Sequence, residues 1–285
     1  MSFVIVLACL IGERFLRPYQ HLRRAAWFDR YFQWQQTLPA AEHWRSGFGG
    51  LLTLLVPPLA IIGLLQYGLA DGFFGVLGAL FAALVLLLSL GPEDLDDQVG
   101  RLLAARAARD REQARALAED LLRSPPPPEP DLGTALSAAA LIESNRRLFA
   151  VLFWFMVLGP VGAAAYRLTD LTDLLARHHA REGLIPPTER ALNLLDWLPG
   201  RLSALGFALA GCFESAVSGW RTCDKQGYPS ATAAILNCAG KGAVQLDRQP
   251  ADTDFALRET MALVWRTLAV WVALLGIITL SGWLL

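Results

Sequence analysis

Residues 48–69 read FGGLLTLLVPPLAIIGLLQYGL and residues 73–90 read FFGVLGALFAALVLLLSL, and neither run holds a charged side chain. A helix rises about 1.5 Å per residue, so about 20 apolar residues cross the roughly 30 Å hydrocarbon layer of a bilayer. Phe48–Leu69 meets that length and Phe73–Leu90 meets it again. The linking residues Ala70-Asp71-Gly72 leave room only for a tight antiparallel hairpin. Pro57 and Pro58 interrupt the first arm, which a membrane helix tolerates when neighbours satisfy the freed carbonyls.

The rest of the chain agrees. Of 285 residues, 54% are hydrophobic and 18% charged, with a mean hydropathy of +0.38. Soluble domains carry about 25% charged residues. Between Arg45 and Glu93 the only charge is Asp71, and no residue after Arg266 is charged. This argues against an ordinary soluble enzyme, a disordered chain and a disulfide scaffold. It predicts an all-α, polytopic helical membrane protein with cytosolic amphipathic helices. The bilayer is its first partner, and no nucleic-acid partner is expected.

Leu148–Tyr166 is a third candidate span with a kink at Gly159-Pro160, and Leu268–Leu285 a fourth. Ser2–Gly12 is apolar but short and lacks a preceding Lys or Arg, so it reads as an embedded first helix, not a signal peptide. Leu202–Phe213 fits either a crossing helix with a polar mouth or a broken helix dipping part-way in. The chain thus divides into membrane helices over 1–90, a cytosolic helical hairpin over 91–147, and a second membrane region over 148–285. Polar segments 192–202 and 223–240 interrupt the last.

Lys and Arg mark cytoplasmic loops. Residues 13–47 hold six arginines and residues 91–147 hold eight, whereas the 70–72 turn holds none. The first hairpin therefore enters from the cytoplasm and turns outside. Residues 221–266 hold six Lys/Arg and are expected in the cytoplasm, while 167–190 hold four arginines among four acids and stay undecided. From Glu93 to Arg123, Leu95, Val99, Leu102, Leu103, Leu117 and Leu121 recur at helical spacing, which predicts one long amphipathic helix. Pro92 and the acids Glu93, Asp94, Asp96 and Asp97 suit its N-terminus. Residues 124–130, with prolines at 125–128 and 130, read as a stiff linker before a second helix over Leu132–Arg147.

Signals for chemistry are sparse. No phosphate-binding glycine loop and no H-E-x-x-H motif occurs. Cys9, Cys212, Cys223 and Cys238 form no C-x-x-C pair, so no metal site is assigned and the four read as reduced, buried thiols. His178 and His179 point about 100° apart on a helix and do not readily share an ion. Glu143-Ser144-Asn145 and Asp170/Asp173 read first as markers of the water boundary. Asp196 and Arg201 flank an apolar segment, where ionisable groups pair or line a cavity. They form either an ion pair closing a helix break or half of a pocket completed by the Gly227-Tyr228-Pro229-Ser230 turn. In a pocket, Arg201 is the natural partner of an anion.

The run Leu192–Leu202, LNLLDWLPGRL, resembles the N-x-x-P-x-R-L segment of the membrane adenosylcobinamide-phosphate synthases, the CobD/CbiB family. Leu152-Phe153-Trp154, and Tyr166-Arg167 with Asp173, resemble that family's P-L-F-W and Y-R…N-T-L-D stretches. Gly227-Tyr228-Pro229-Ser230-Ala231 resembles its N-A-G-W-P-E-A. The resemblance implies a ligase that activates a carboxylate with nucleotide and Mg²⁺, and it adds Arg167 and Asp173 to the candidate ligand-binding residues. Several family positions differ: Ser230 stands for Glu, Lys225 for Asn and Asp196 for Asn, and the N-terminal G-D-P…H-P signature is absent. The first helix ending in Glu13-Arg14 and the L-D-W-x-P-x-R-L motif are similar to a sister group, the AmpE proteins of the inner membrane. That likeness fits better than the synthase one and implies, as the leading expectation, a modulator of β-lactamase induction and peptidoglycan recycling, with a small anionic or cell-wall-derived ligand and a cytosolic protein partner; an amide- or phosphate-forming ligase is the alternative. It assigns no catalytic residue and no cofactor.

Overall fold

The computed structural model describes residues 26–37, 47–69, 75–90, 95–224, 228–246 and 252–280, and their regular elements are all helical. In chain order these are α1 (Ala26–Thr37), α2 (Gly47–Gly68), α3 (Gly75–Ser89), α4 (Leu95–Ala107), α5 (Arg111–Leu122) and α6 (Glu129–Ser144). A π-helical turn, Asn145–Phe149, leads to α7 (Ala150–Leu158), α8 (Pro160–His178), α9 (Ile185–Leu195) and α10 (Trp197–Ala210). The last helices are α11 (Phe213–Arg221), α12 (Ala231–Val244) and α13 (Thr253–Leu280). The expectations for Ser2–Gly12, the 70–72 turn, residues 91–94 and Gly227 fall outside the described residues.

The chain forms two compact units. The first comprises residues 1–92, 150–196 and 282–285, the second 93–149 and 197–281. In the first, α2 lays Leu51, Leu54 and Leu55 against Phe28 and Phe32 of α1 and Leu168, Leu171 and Ala176 of α8. Its other faces are apolar and uncovered: Leu64 is 73% exposed and Tyr67 81%. His179, just past α8, stacks on Phe32, and its Nε2 lies 2.9 Å from Asp29 Oδ1. That hydrogen bond holds the Asp29 carboxyl below its ordinary range.

The third expected span is not one helix. At Gly159 the backbone takes φ 67°, ψ −152°, a region essentially reserved for glycine, and Pro160 opens a new helix. Gln66 of α2 secures the break, its Oε1 accepting from Val161 N at 3.1 Å. The kink expected at Gly159-Pro160 is therefore a full break between α7 and α8. Expected span one forms a continuous helix; of span four, expected over Leu268–Leu285, residues 268–280 are the last part of α13, which starts earlier at Thr253, and 281–285 fall outside the described residues. Gly47–Gly68 and Thr253–Ile277 are each long and apolar enough to cross a bilayer, while α3 is apolar but has 15 residues.

In the second unit, α4, α5, α6 and α13 share a core built on Val99, Leu102, Leu121, Leu136 and Leu257. The single long helix expected over 93–123 is two helices. Arg109 adopts a left-handed φ of 58°, and Asp110 then caps α5 by accepting from Gln113 N at 3.0 Å. Periodicity survives such a break because both helices bury the same face. Arg106, in the last turn of α4, reaches Asp254 at the start of α13 (2.5 Å) and Glu129 at the start of α6 (3.1 Å). Helix α6 begins within the expected linker, at Glu129.

Candidate functional site

In the first unit the candidate residues lie on and beside α8, which buries an unusual run of polar side chains. Tyr166, Arg167, Thr169, Asp170, Thr172 and Asp173 are all buried. Thr169 and Thr172 donate to the carbonyls of Ala165 and Leu168 one turn back, so their hydroxyls are satisfied within the helix. The charged groups are paired locally. Arg167 Nη1 donates to Asp170 Oδ2 at 2.8 Å, and Arg177 donates to Asp173 through Nε at 3.1 Å. Arg177 also reaches Glu189 of α9, and its bond to Asp173 raises its affinity for the proton. Tyr166 Oη donates to Asp196 Oδ1 at 2.6 Å, both groups buried.

Arg201 belongs to the second unit, on α10, where its guanidinium lies 4.2 Å from the Trp197 ring centroid and donates to Trp197 O at 2.7 Å. Asp196 and Arg201 thus have separate partners, each in its own unit. Helix α10 runs against α12 so closely that a Cβ on Gly200 would sit 2.2 Å from Thr232 Cγ2. Thr232 follows Ser230 by two residues, so the motif around Arg201 and the turn at 228–230 approach one another. Ser230 caps α12, its Oγ accepting from Ala233 N at 3.0 Å. Tyr228 Oη hydrogen-bonds Asn237 Nδ2. Pro229 lies between them.

Two features escaped the sequence reading. Glu143, Ser144 and Asn145 are buried. Arg147 and Arg123 contact Glu143 Oε2 at 2.9 and 3.0 Å, and Arg146 lies 3.6 Å from Oε1. Burial alone would raise this carboxyl, but the three guanidiniums prevail and hold it from an ordinary 4.5 down to about 2. The run Glu-Ser-Asn-Arg-Arg at an expected span end was the available signal. Asn145 Oδ1 also accepts from Ser203 Oγ of α10 at 3.1 Å.

The second feature is covalent. Cys223 and Cys238, read as free thiols, form a disulfide with Cα atoms 5.8 Å apart. Antiparallel packing of α11 on α12 explains it: a Cβ on Gly219 would lie 2.5 Å from Cys238 O, so the end of α11 is delivered to the middle of α12. A spacing of 15 residues carries no hint of that geometry. Cys212 remains free. Among the described residues no three His, Cys, Asp or Glu side chains converge as metal ligands.

Such helices, with apolar outer faces and charges paired inside, define the class: an all-helical protein that buries charged side chains in pairs. The family model described as CobD/Cbib protein matches residues 5–249, and the chain belongs to that family. The cobalamin biosynthesis protein CobD of Stutzerimonas stutzeri is 27% identical over 267 residues, covering 86% of this chain and 85% of that protein. CobD of Chromobacterium violaceum is 36% identical over 123 residues, 40% of this chain and 38% of its own. Protein AmpE of Shigella flexneri is 26% identical over 232 residues, 77% of this chain and 78% of its own. No solved structure matches.

Proposed function

We propose that this chain is a multi-pass protein of the bacterial inner membrane that joins an amine to an activated carboxylate, the amide-forming chemistry implied by its likeness to the adenosylcobinamide-phosphate synthases. The family match over residues 5–249 is the observation that carries this reading. Membrane embedding is supported by α10, where every exposed position is apolar: Trp197, Leu198, Leu202, Leu205 and Leu209. Its buried positions include the small or polar Gly200, Ser203, Ala204 and Gly206, with Phe207 the large side chain among them. A helix in water shows the opposite arrangement.

In this reading Arg201 holds an anionic substrate group, since a guanidinium meets carboxylate or phosphate through paired hydrogen bonds. Its stacking on Trp197 fixes the plane of the fork. The turn at 228–230 contributes backbone donors in the second unit, and Arg167, Asp173 and Asp196 are buried polar groups of the first. The described carboxylates of this lining are taken by Arg167, Arg177 and Tyr166, so they do not fit a resident Mg²⁺. A metal ion accompanying a nucleotide would be part of the substrate. Expression in a strain lacking adenosylcobinamide-phosphate synthase tests the reading. Growth that depends on that step should be restored, and Arg201→Lys should abolish it at unchanged membrane levels. Failure of the inserted wild-type chain to restore growth sinks the enzymatic reading.

A second reading is favoured by Asp196, Lys225 and Ser230, which replace residues of the synthase motifs, and by the AmpE match over 78% of that protein. Here Arg201 holds a small anionic or cell-wall-derived ligand, and the cytosolic helices of 91–147 pass its occupancy to a protein partner. Loss of the chain would then alter β-lactamase induction without affecting cobamide synthesis.

A further inference from the structure

Helix α1 carries more apolar surface than the first unit covers. Phe28 and Phe32 are buried among Leu51, Leu54 and Leu55 of α2 and Leu168 and Leu171 of α8. Trp27, Tyr31 and Trp34, spaced i, i+4 and i+7, form a second stripe beside them. Here Trp27 is 55% exposed and Trp34 57%. Arg30, Gln33 and Thr37, on the polar side of the helix, are exposed as well. Water accounts for the polar side and the core for Phe28 and Phe32, which leaves the two indoles to be explained. The helix is held in a defined place. Gln35 Nε2 donates to Thr53 O of α2 at 2.7 Å, and at the other edge Asp29 is tied to His179. The α2 turns beneath it, Leu51 to Leu55, belong to a helix long enough to cross a bilayer. They lie about 6–12 Å from its start at Gly47, at about 1.5 Å per residue. Over the same turns the uncovered side of α2 is apolar, with Phe48, Leu52 and Val56 all exposed. Lipid suits that depth, and water does not.

We propose that α1 is an interfacial helix that docks on the phospholipid of the cytoplasmic leaflet. It sinks Trp27, Tyr31 and Trp34 to the boundary between headgroups and acyl chains and sets Arg30 against a lipid phosphate. Indole suits that layer, because its ring is apolar and its N–H finds acceptors among the headgroups. An amphipathic helix in this position lies about 5–10 Å into the boundary, the depth at which the α2 turns hold α1. Arg30 carries its charge towards the headgroups on an apolar stem. The six arginines of residues 13–47 select the cytoplasmic leaflet. The inference rests on the membrane embedding proposed above and is independent of whether the chain catalyses or senses. Through the stacking of Phe32 on His179, the leaflet then also steadies the end of α8.

The test uses the full chain in nanodiscs of phosphatidylethanolamine and phosphatidylglycerol, with acyl chains brominated either near the headgroup or near the chain end. The chain has nine tryptophans, so the emission of Trp27→Phe/Trp34→Phe is subtracted from that of the wild type to isolate the two indoles. Both substitutions fall at exposed positions and keep an aromatic ring. The isolated emission should be quenched about twofold more by the shallow bromines than by the deep ones, and hardly by iodide in the buffer. Val56→Trp, added to the double variant, gives the depth reference and should be quenched mainly by the deep bromines. Quenching of the pair by iodide and by neither lipid overturns the proposal, because α1 then lies in water. Quenching by none of the three overturns it too, because protein, a second copy or another partner, then covers the stripe. Stronger quenching by the deep bromines overturns the interfacial placement. If Val56→Trp responds to lipid and the pair does not, this proposal alone fails. If neither responds, the membrane reading fails with it. Arg30→Glu should reduce the shallow quenching of the pair about twofold, and an unchanged value removes Arg30 from the site.

Discussion

Tyr166 and Asp196, 30 residues apart in sequence, meet in the interior of the first unit through a 2.6 Å hydrogen bond from phenol to carboxylate. The bond ties the middle of α8 to the end of α9. Hydrogen bonds to charged groups contribute about 1.5–3 kcal/mol. Tyr166→Phe should therefore lower unfolding stability by about that amount, measured by thermal denaturation in lipid nanodiscs. Asp196→Asn in the Tyr166→Phe background should cost much less than in the wild type. Strictly additive losses would show that the two groups do not interact.

Glu143 is the anion on which Arg123, Arg146 and Arg147 converge. Removing one partner of a buried charge pair typically costs about 3–5 kcal/mol, and Glu143→Gln should fall in that range. Its pH dependence has a defined sign. The folded carboxyl is held at about 2 against an ordinary 4.5. Its contribution is thus complete above pH 4.5 and is lost as the pH falls towards 2. The stability difference between wild type and Glu143→Gln should shrink over that window. A difference constant from pH 7 to pH 3 would refute the assignment.

At Gly159 the backbone lies where a side chain costs about 1–3 kcal/mol. A Cβ would also meet Gln66 Nε2 at 3.0 Å. Gly159→Ala should lower the unfolding temperature, and Gln66→Leu should lower it too by leaving Val161 N without its acceptor. An unchanged unfolding temperature for both would mean that the α7–α8 break is not held in this way.

Topology is open to direct measurement. In a chain whose native cysteines are replaced by serine, Arg115→Cys on exposed α5 should resist an impermeant maleimide in intact cells and react in inverted vesicles. Asp71→Cys should show the reverse. The opposite pattern at both positions would invert the charge-based orientation.

Much of the helical order was legible because it follows from hydrophobic runs alone. The run from Phe48 to Leu69 could only be a long helix, and the acids Asp96 and Asp97 do open one. Breaks were less visible. Asp110 and Gly159 each open a new helix after a break that leaves the apolar pattern uninterrupted, because the flanking helices bury the same kind of face. Contacts distant in sequence were least visible. Tyr166 and Asp196 were both singled out, yet nothing in their spacing joins them. Cys223 meets Cys238 only because α11 doubles back on α12. Glu143 was quoted but set aside, since a carboxylate beside two arginines looks the same whether it faces water or a core.

The three ends joined by Arg106 carry one more consequence. Arg106 lies in the last turn of its helix, while Glu129 and Asp254 lie in the first turns of theirs. Each charge therefore opposes the dipole of its own helix end as well as its partner across the gap. Such a joint fails gradually. With the cation gone, both acids still sit where a helix start favours them, and with one acid gone the cation keeps the other. Sequence drift can pass through this corner one substitution at a time, whereas Glu143, alone among its arginines, has no such intermediate.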